Sequence, residues 1–197
     1  WSDNSINRHI AQLGPTSISF LHNGVRFIGV NAAIWLEHHG AASGDTRRWI
    51  VEQLAQDPPG TPAVLFTHQP PMYPDNVYFT GDVELFKAIR PYNVRLFLNG
   101  HGHSFKQWTA DGVLCKMTKG MMNDAGGYTL YEVRANDIRV YDKAVGATRK
   151  LVATVPLTAP RVEVAVEKLP PGEGTYEFSA RVTPNGVTVA RVEWQAD

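Results

Sequence analysis

Apolar residues are concentrated in two short runs near the start of the chain, at 17–22 and 25–30. Asn23 and Gly24 stand between these runs, and both residue types readily adopt the positive φ angles of a two-residue hairpin turn. The pattern therefore predicts a β-hairpin at 17–30.

The next segments alternate between helix and strand. Apolar positions recur at a helical period from Trp49 to Leu54, which predicts a helix over about 45–57 that ends before Pro58. The apolar runs 63–66 and 94–98 are typical of strands covered on both faces, and the segment between them has a helical pattern at 83–89. Strand, helix and strand in this order predict a right-handed parallel crossover.

Beyond residue 104 the pattern changes to strands joined by tight turns. Asp111-Gly112 and Asn136-Asp137 are the predicted turn pairs of two hairpins. Past Pro160, apolar and polar residues alternate as in half-buried strands, which predicts an all-β module. We therefore expect an α/β (α+β) fold with a first domain at 1–155 and part of a second, all-β domain at 156–197.

Charge and composition exclude several functions. The chain has 19 basic and 19 acidic residues, so a nucleic-acid polymer is not an expected partner. A single cysteine, Cys115, leaves histidine, aspartate and glutamate as the candidate metal ligands. No apolar run approaches the roughly 20 residues of a membrane span. Because Trp1 follows neither an initiator methionine nor a signal peptide, we expect the chain to be a fragment.

Three histidines follow the two predicted parallel strands. His68 comes after the first strand and His101 after the second. The carboxyl ends of adjacent parallel strands meet at one edge of a sheet, where ligands bind in open α/β folds. His103 would point to the same side as His101 if this segment were extended. Three neutral imidazoles at one edge predict a metal site, although each histidine taken alone could be an ordinary loop residue.

Three further residues are candidates for contact with a substrate. His38 and His39 lie in a loop that follows the predicted hairpin, and Tyr73 lies in a proline-rich loop five residues after His68. Solvated histidines and a rigid turn would explain the same residues without a substrate.

The two histidine segments resemble signature motifs of a known family. Thr67-His68-Gln69-Pro70 and Gly100-His101-Gly102-His103 are similar to the last two motifs of the calcineurin-like metallophosphoesterases, His-x-Pro and Gly-His-x-His. The resemblance covers about residues 10–150 and implies a β-sandwich flanked by helices, with a dinuclear metal centre at one edge. It implies that His68 and His101 ligate one metal and His103 the other.

The resemblance also implies a reaction. Two divalent or trivalent ions, such as Mn, Fe or Zn, would activate a bridging hydroxide that attacks a small phosphate mono- or diester. The family's earlier motifs, which supply carboxylate and Asn ligands, do not occur between Trp1 and Gly14. We therefore expect the catalytic residues upstream of Trp1, an inactive isolated chain and an active phosphoesterase as its parent.

Two alternatives belong to other classes. One is a non-catalytic binding or surface protein that retains the phosphoesterase fold without a complete metal centre. The other is a mononuclear zinc hydrolase that uses the three histidines alone. The run 189–197 resembles a strand of bacterial immunoglobulin-like modules, which implies a partial module of that type and an extracytoplasmic or secreted location.

Overall fold

A computed structural model describes residues 4–34, 36–75, 77–121 and 126–158. They belong to the first of two units into which the chain divides, Trp1–Thr158. The predicted immunoglobulin-like module at 156–197 lies outside the described residues apart from 156–158, so the module and the predicted boundary after 155 stay predictions.

The described residues form three helices and eleven strands. The helices are α1 (Asn4–Leu13), α2 (Gly44–Leu54) and α3 (Asp82–Ile89). The strands are β1 (Ile18–His22), β2 (Val25–Gly29), β3 (Gly40–Ala41), β4 (Ala63–Phe66), β5 (Phe79–Thr80), β6 (Val94–Asn99), β7 (Lys106–Ala110), β8 (Val113–Met117), β9 (Gly127–Val133), β10 (Asp137–Ala144) and β11 (Lys150–Pro156).

A six-stranded mixed sheet forms the centre of the fold, in the order β1-β2-β4-β6-β8-β7. The four inner strands are parallel, and β1 and β7 pair antiparallel at the two edges. One face packs on α2 and α3 through side chains such as Ile50, Phe86 and Phe97. The other face packs on a three-stranded sheet of order β11-β10-β9 through Val64, Leu96 and their neighbours. The expected mixed α/β architecture is confirmed.

The predicted first hairpin is confirmed. β1 and β2 pair antiparallel with His22 opposite Val25. The two turn residues have positive φ, 48° at Asn23 and 75° at Gly24, as a type I′ turn requires.

Helix α2 begins where the sequence supplies a cap. The Ser43 hydroxyl accepts a hydrogen bond from the backbone N–H of Thr46, and Asp45 lies in the first turn of α2, where a negative charge is favourable. This helix ends at Leu54, three residues before the predicted end at 57. Between β4 and β6, α3 completes the predicted parallel crossover.

Four elements were not predicted: α1, β11 and the two-residue strands β3 and β5, which pair with each other. α1 has an apolar stripe of Ile6, Ile10 and Leu13, all exposed, on an otherwise polar sequence. β11 adds a third strand to the second sheet, with a register shift between Val140 and Tyr141 on its partner. Within the described ranges, no helix combines the length and apolar character needed to cross a membrane.

Candidate functional site

The carboxyl ends of β4 and β6 bring two predicted ligands together. These strands pair in parallel, with Phe66 opposite Leu98. His68 Nε2 lies 3.4 Å from His101 Nδ1, and the two rings are nearly perpendicular at a centroid distance of 5.3 Å. The predicted placement of these two imidazoles side by side at one sheet edge therefore agrees with the structure.

The backbone between the strands allows this approach. The Gly100 N–H donates to the His68 carbonyl at 2.9 Å, and a Cβ at Gly100 would lie 3.4 Å from His68 Nδ1. The His101 ring also meets the ring of Tyr78 edge-on, at a centroid distance of 4.8 Å. His101 thus makes ring contacts with both Tyr78 and His68.

The surroundings of both imidazoles favour their neutral form. Desolvation lowers the pKa of His68 below its usual value, and the nearby His103 lowers it further. Desolvation also lowers the pKa of His101 and is the largest cause of its shift. The nearby imidazoles of His68, His38, His103 and His39 lower this pKa further. Neutral imidazole is the form that ligates metals.

The separation of the two nitrogens is within hydrogen-bond reach, and it is also the distance between two nitrogens that share a tetrahedral cation. Two nitrogens bound to a tetrahedral Zn²⁺ at about 2.0–2.1 Å lie about 3.3–3.4 Å apart, and His68 Nε2 and His101 Nδ1 are 3.4 Å apart. Within the described part of the chain, however, no three His, Cys, Asp or Glu side chains form a group that could hold a metal. The pair therefore fits part of a coordination shell, and no dinuclear centre is formed by the described residues.

His103 is placed differently from the sequence-based expectation. The segment after β6 is not extended, because φ is 69° at His101 and 50° at His103. The argument that these two residues point to one side is therefore wrong. The His103 ring lies instead against Gly120, where an added Cβ would come within 3.1 Å of it. Its role as a ligand of a second metal stays a prediction.

A cavity of about 720 Å³ opens beside the histidine pair. Its walls come from α1, the segment after β2 and the ends of β4 and β6. They comprise Ile6, His9, Thr16, Val30, Asn31, Ala33, Ile34, Leu36, Glu37, His38, His68, Gln69 and His101. Of the predicted substrate residues, His38 lines this cavity, whereas His39 and Tyr73 do not belong to its lining.

Tyr73 belongs to a neighbouring cluster. Lys106 Nζ donates to the Tyr73 hydroxyl at 2.6 Å and to Asp75 Oδ2 at 2.7 Å, and this ion pair lowers the pKa of Asp75. The Tyr73 ring packs edge-on against Trp108 and lies 5.8 Å from Tyr78. Through Tyr78, this cluster fixes the loop after His68 against the candidate site.

Two cavity residues were missed by the sequence analysis. Gln69 is buried, with 6% of its surface exposed, and its Oε1 has no hydrogen-bond partner within the described ranges. It occupies the variable position of the His-x-Pro motif, which carries no chemical expectation. His9 lies on α1, and the spacing of Ile6 and Ile10 was the signal that would have predicted this helix.

Comparison with solved structures identifies the fold. No family model and no curated protein matches the sequence. A dimetal phosphatase from Danio rerio is 14% identical, with a TM-score of 0.57 over 78% of this chain and 67% of that chain. The fold of the described residues is therefore similar to that of this dimetal phosphatase.

Two other solved structures are less similar. GAP50, described as the anchor in the inner membrane complex of Plasmodium, is 12% identical, with a TM-score of 0.48 over 74% of this chain and 54% of that chain. Vps29 complexed with Zn²⁺, from Entamoeba histolytica, is 15% identical, with a TM-score of 0.32 over 48% of this chain and 55% of that chain.

Proposed function

We propose that this chain supplies the imidazole part of a metal-dependent phosphoesterase site. His68 and His101 would hold a divalent cation against a small phosphate mono- or diester. The observation that carries the proposal is the 3.4 Å separation of their facing nitrogens at the carboxyl edge of the sheet. The fold shared with a dimetal phosphatase supports the same reaction class.

The residues of the chain would have distinct roles. When bound, the cation would act as a Lewis acid that polarises the phosphoryl group. His68 and His101 would orient it through neutral ring nitrogens, and the edge contact of Tyr78 would keep the His101 ring in position. His38 would donate a hydrogen bond to an ester oxygen from the wall of the same cavity.

Further parts of the proposal follow from the family resemblance. His103 would ligate a second ion, such as Mn, Fe or Zn, together with donors from outside the described residues. The segment 156–197 would begin an immunoglobulin-like module, and the protein would act outside the cytoplasm.

Metal titration of the chain tests the ligand pair. Co²⁺ and Zn²⁺ binding is followed by calorimetry and, for Co²⁺, by visible absorption. His101→Ala is expected to weaken binding by at least about tenfold, because even groups that only orient a ligand affect affinity to that extent. His22→Ala is the matched control, since His22 lies beside the hairpin turn at the opposite edge of the sheet.

Hydrolysis is then measured with the natural full-length protein, using phosphomonoesters and phosphodiesters. Turnover that depends on added metal and is lost in His101→Ala would support the phosphoesterase. Absence of both metal binding and hydrolysis would overturn it and favour the non-catalytic alternative.

A further inference from the structure

The six-stranded sheet has two chemically different edges. β1 and β7 are its outer strands, and each pairs antiparallel with its inner neighbour across a two-residue turn. β7 carries Lys106, which forms an ion pair with Asp75. β1 contains no Lys, Arg, Asp, Glu or Pro. Charged residues and prolines are the usual protection of an edge strand against pairing with another chain, so β1 lacks the protection that β7 has.

The side chains of β1 are mostly apolar and exposed. Ile18 is 40% exposed, Phe20 46% and Leu21 52%. The Phe20 ring stacks on the Phe27 ring of β2, with centroids 5.2 Å apart and an angle of 11° between the planes. A row of aromatic rings therefore crosses the two strands and ends at the edge of the sheet.

The backbone of β1 has hydrogen-bonding groups on its outer side. Residues of an antiparallel pair alternate between hydrogen-bonded and non-hydrogen-bonded positions. Arg26, opposite Leu21, donates its N–H to Pro62 on the far side of β2, so Leu21 lies at a non-hydrogen-bonded position. The N–H and C=O groups of Leu21, and by the same alternation those of Ser19, point away from the sheet. Within residues 4–34, 36–75, 77–121 and 126–158, no backbone group outside the sheet bonds to either residue.

We propose that two copies of this chain associate through β1, which pairs antiparallel with itself about a two-fold axis at Phe20. In this register Ser19 lies opposite Leu21 of the second copy, and Leu21 opposite Ser19. Each of these two pairs exchanges two backbone hydrogen bonds. Both outward-facing residues of both strands are therefore satisfied by a single symmetric arrangement, as a two-fold interface requires.

The side chains suit the same arrangement. Phe20 lies opposite Phe20 of the second copy at a non-hydrogen-bonded position, where side chains approach most closely. The aromatic row of one sheet thus continues into the other. Like charges do not oppose each other, because β1 has no acidic or basic residue other than His22 at its end, and the formal net charge of the chain is zero. A strand of five residues spans only about 17 Å, so the dimer is weak and depends on concentration.

Sedimentation velocity of the whole chain at increasing concentration tests the proposal, with Leu21→Pro as the variant. Proline removes the N–H that bonds to the second copy, and it is tolerated where the N–H of an edge strand faces solvent. Two of the four intermolecular hydrogen bonds are lost, so the dissociation constant of the dimer is expected to rise about tenfold or more.

Thr109→Pro is the matched control. Thr109 of β7 is exposed and lies one residue before Ala110, which flanks the turn at Asp111 and Gly112. Leu21 has the same position relative to its own turn, on the opposite edge of the sheet. Thr109→Pro should therefore leave the dissociation constant unchanged.

Amide hydrogen exchange of the unmodified chain gives a second measurement that needs no variant. The amides of Ser19 and Leu21 should exchange more slowly as the concentration rises, whereas the Phe20 amide, which faces β2, should be protected throughout. A chain that stays monomeric, or dimerises equally well as Leu21→Pro, would overturn the proposal. Protection of Ser19 and Leu21 at every concentration would also overturn it, because a strand of the same chain would then cover β1.

Discussion

Lys116 of β8 and Asp142 of β10 form a buried ion pair that joins the two sheets, with Nζ 2.9 Å from the carboxylate. The Lys116 side chain is 1% exposed, and the Thr129 hydroxyl also donates to Asp142. Two charges thus lie between the two sheets, and each depends on the other for compensation.

Loss of one member of this pair is expected to destabilise the fold strongly. Lys116→Met leaves the Asp142 charge buried and should lower the free energy of unfolding by about 3 kcal/mol. Urea unfolding measures the change. The double variant Lys116→Met/Asp142→Val should recover most of the loss; equal losses in the single and double variants would contradict the pairing.

A second buried ion pair predicts how stability depends on pH. Arg26 donates to both carboxylate oxygens of Asp57 at 2.7 and 2.8 Å, and this contact lowers the pKa of Asp57. The stabilisation is complete above the ordinary aspartate pKa of about 4 and is lost as the pH falls through the lowered value. The difference in unfolding free energy between wild type and Asp57→Asn should therefore be constant at neutral pH and narrow in acid. A difference that stays constant down to pH 2 would refute this account.

The described donors predict one metal ion per chain. His68 and His101 face each other, whereas His103 lies against Gly120. Zn²⁺ titration followed by elemental analysis should give a single equivalent, with little change in affinity for His103→Ala. A second equivalent that His103→Ala removes would show that this imidazole ligates metal without the donors we expect from elsewhere.

Local backbone conformation predicts the sign of the stability change for two glycine substitutions, one in the hairpin turn and one at the start of α2. Gly24 has a φ of 75°, so Gly24→Ala should lower the free energy of unfolding by about 1 kcal/mol. Gly44 begins α2 and has open space at its Cβ position, so Gly44→Ala should stabilise by up to about 1 kcal/mol. Thermal unfolding of both variants checks these signs, and destabilisation by both would argue against the I′ turn as the cause.

Local sequence signals predicted the elements that depend on local chemistry. The turn at Asn23 and Gly24 and the crossover through α3 follow from φ preferences and apolar periodicity, which act over a few residues. β11 was not predicted because its pairing skips Val152, between Leu151 opposite Tyr141 and Ala153 opposite Val140, and such a bulge breaks the alternation of sides along the strand. The separation of β9 to β11 into a second sheet is a long-range choice that local patterns do not encode.

In the candidate site, too, some residues could be predicted from the sequence and others depend on contacts that only the structure shows. His68 and His101 could be predicted because parallel pairing fixes where strand ends meet. The placement of His103 relative to His101 could not, because both residues have left-handed φ angles, whereas the sequence argument assumed an extended segment. The burial of Gln69 could not be predicted either, because it depends on packing beside Gly40, which lies 29 residues earlier in the chain.

The parallel centre of the large sheet also determines how the chain must fold. β1–β2 and β7–β8 are local hairpins, and only β4 and β6, each reached by a crossover, connect them into one sheet. Closing those loops costs entropy before any pairing is gained, so assembly of the centre should limit the folding rate. Both histidines of the candidate site follow these two strands. In pulse-labelling hydrogen exchange, amides of β1 and β2 should become protected before those of β4 and β6, and the site would therefore form late in folding.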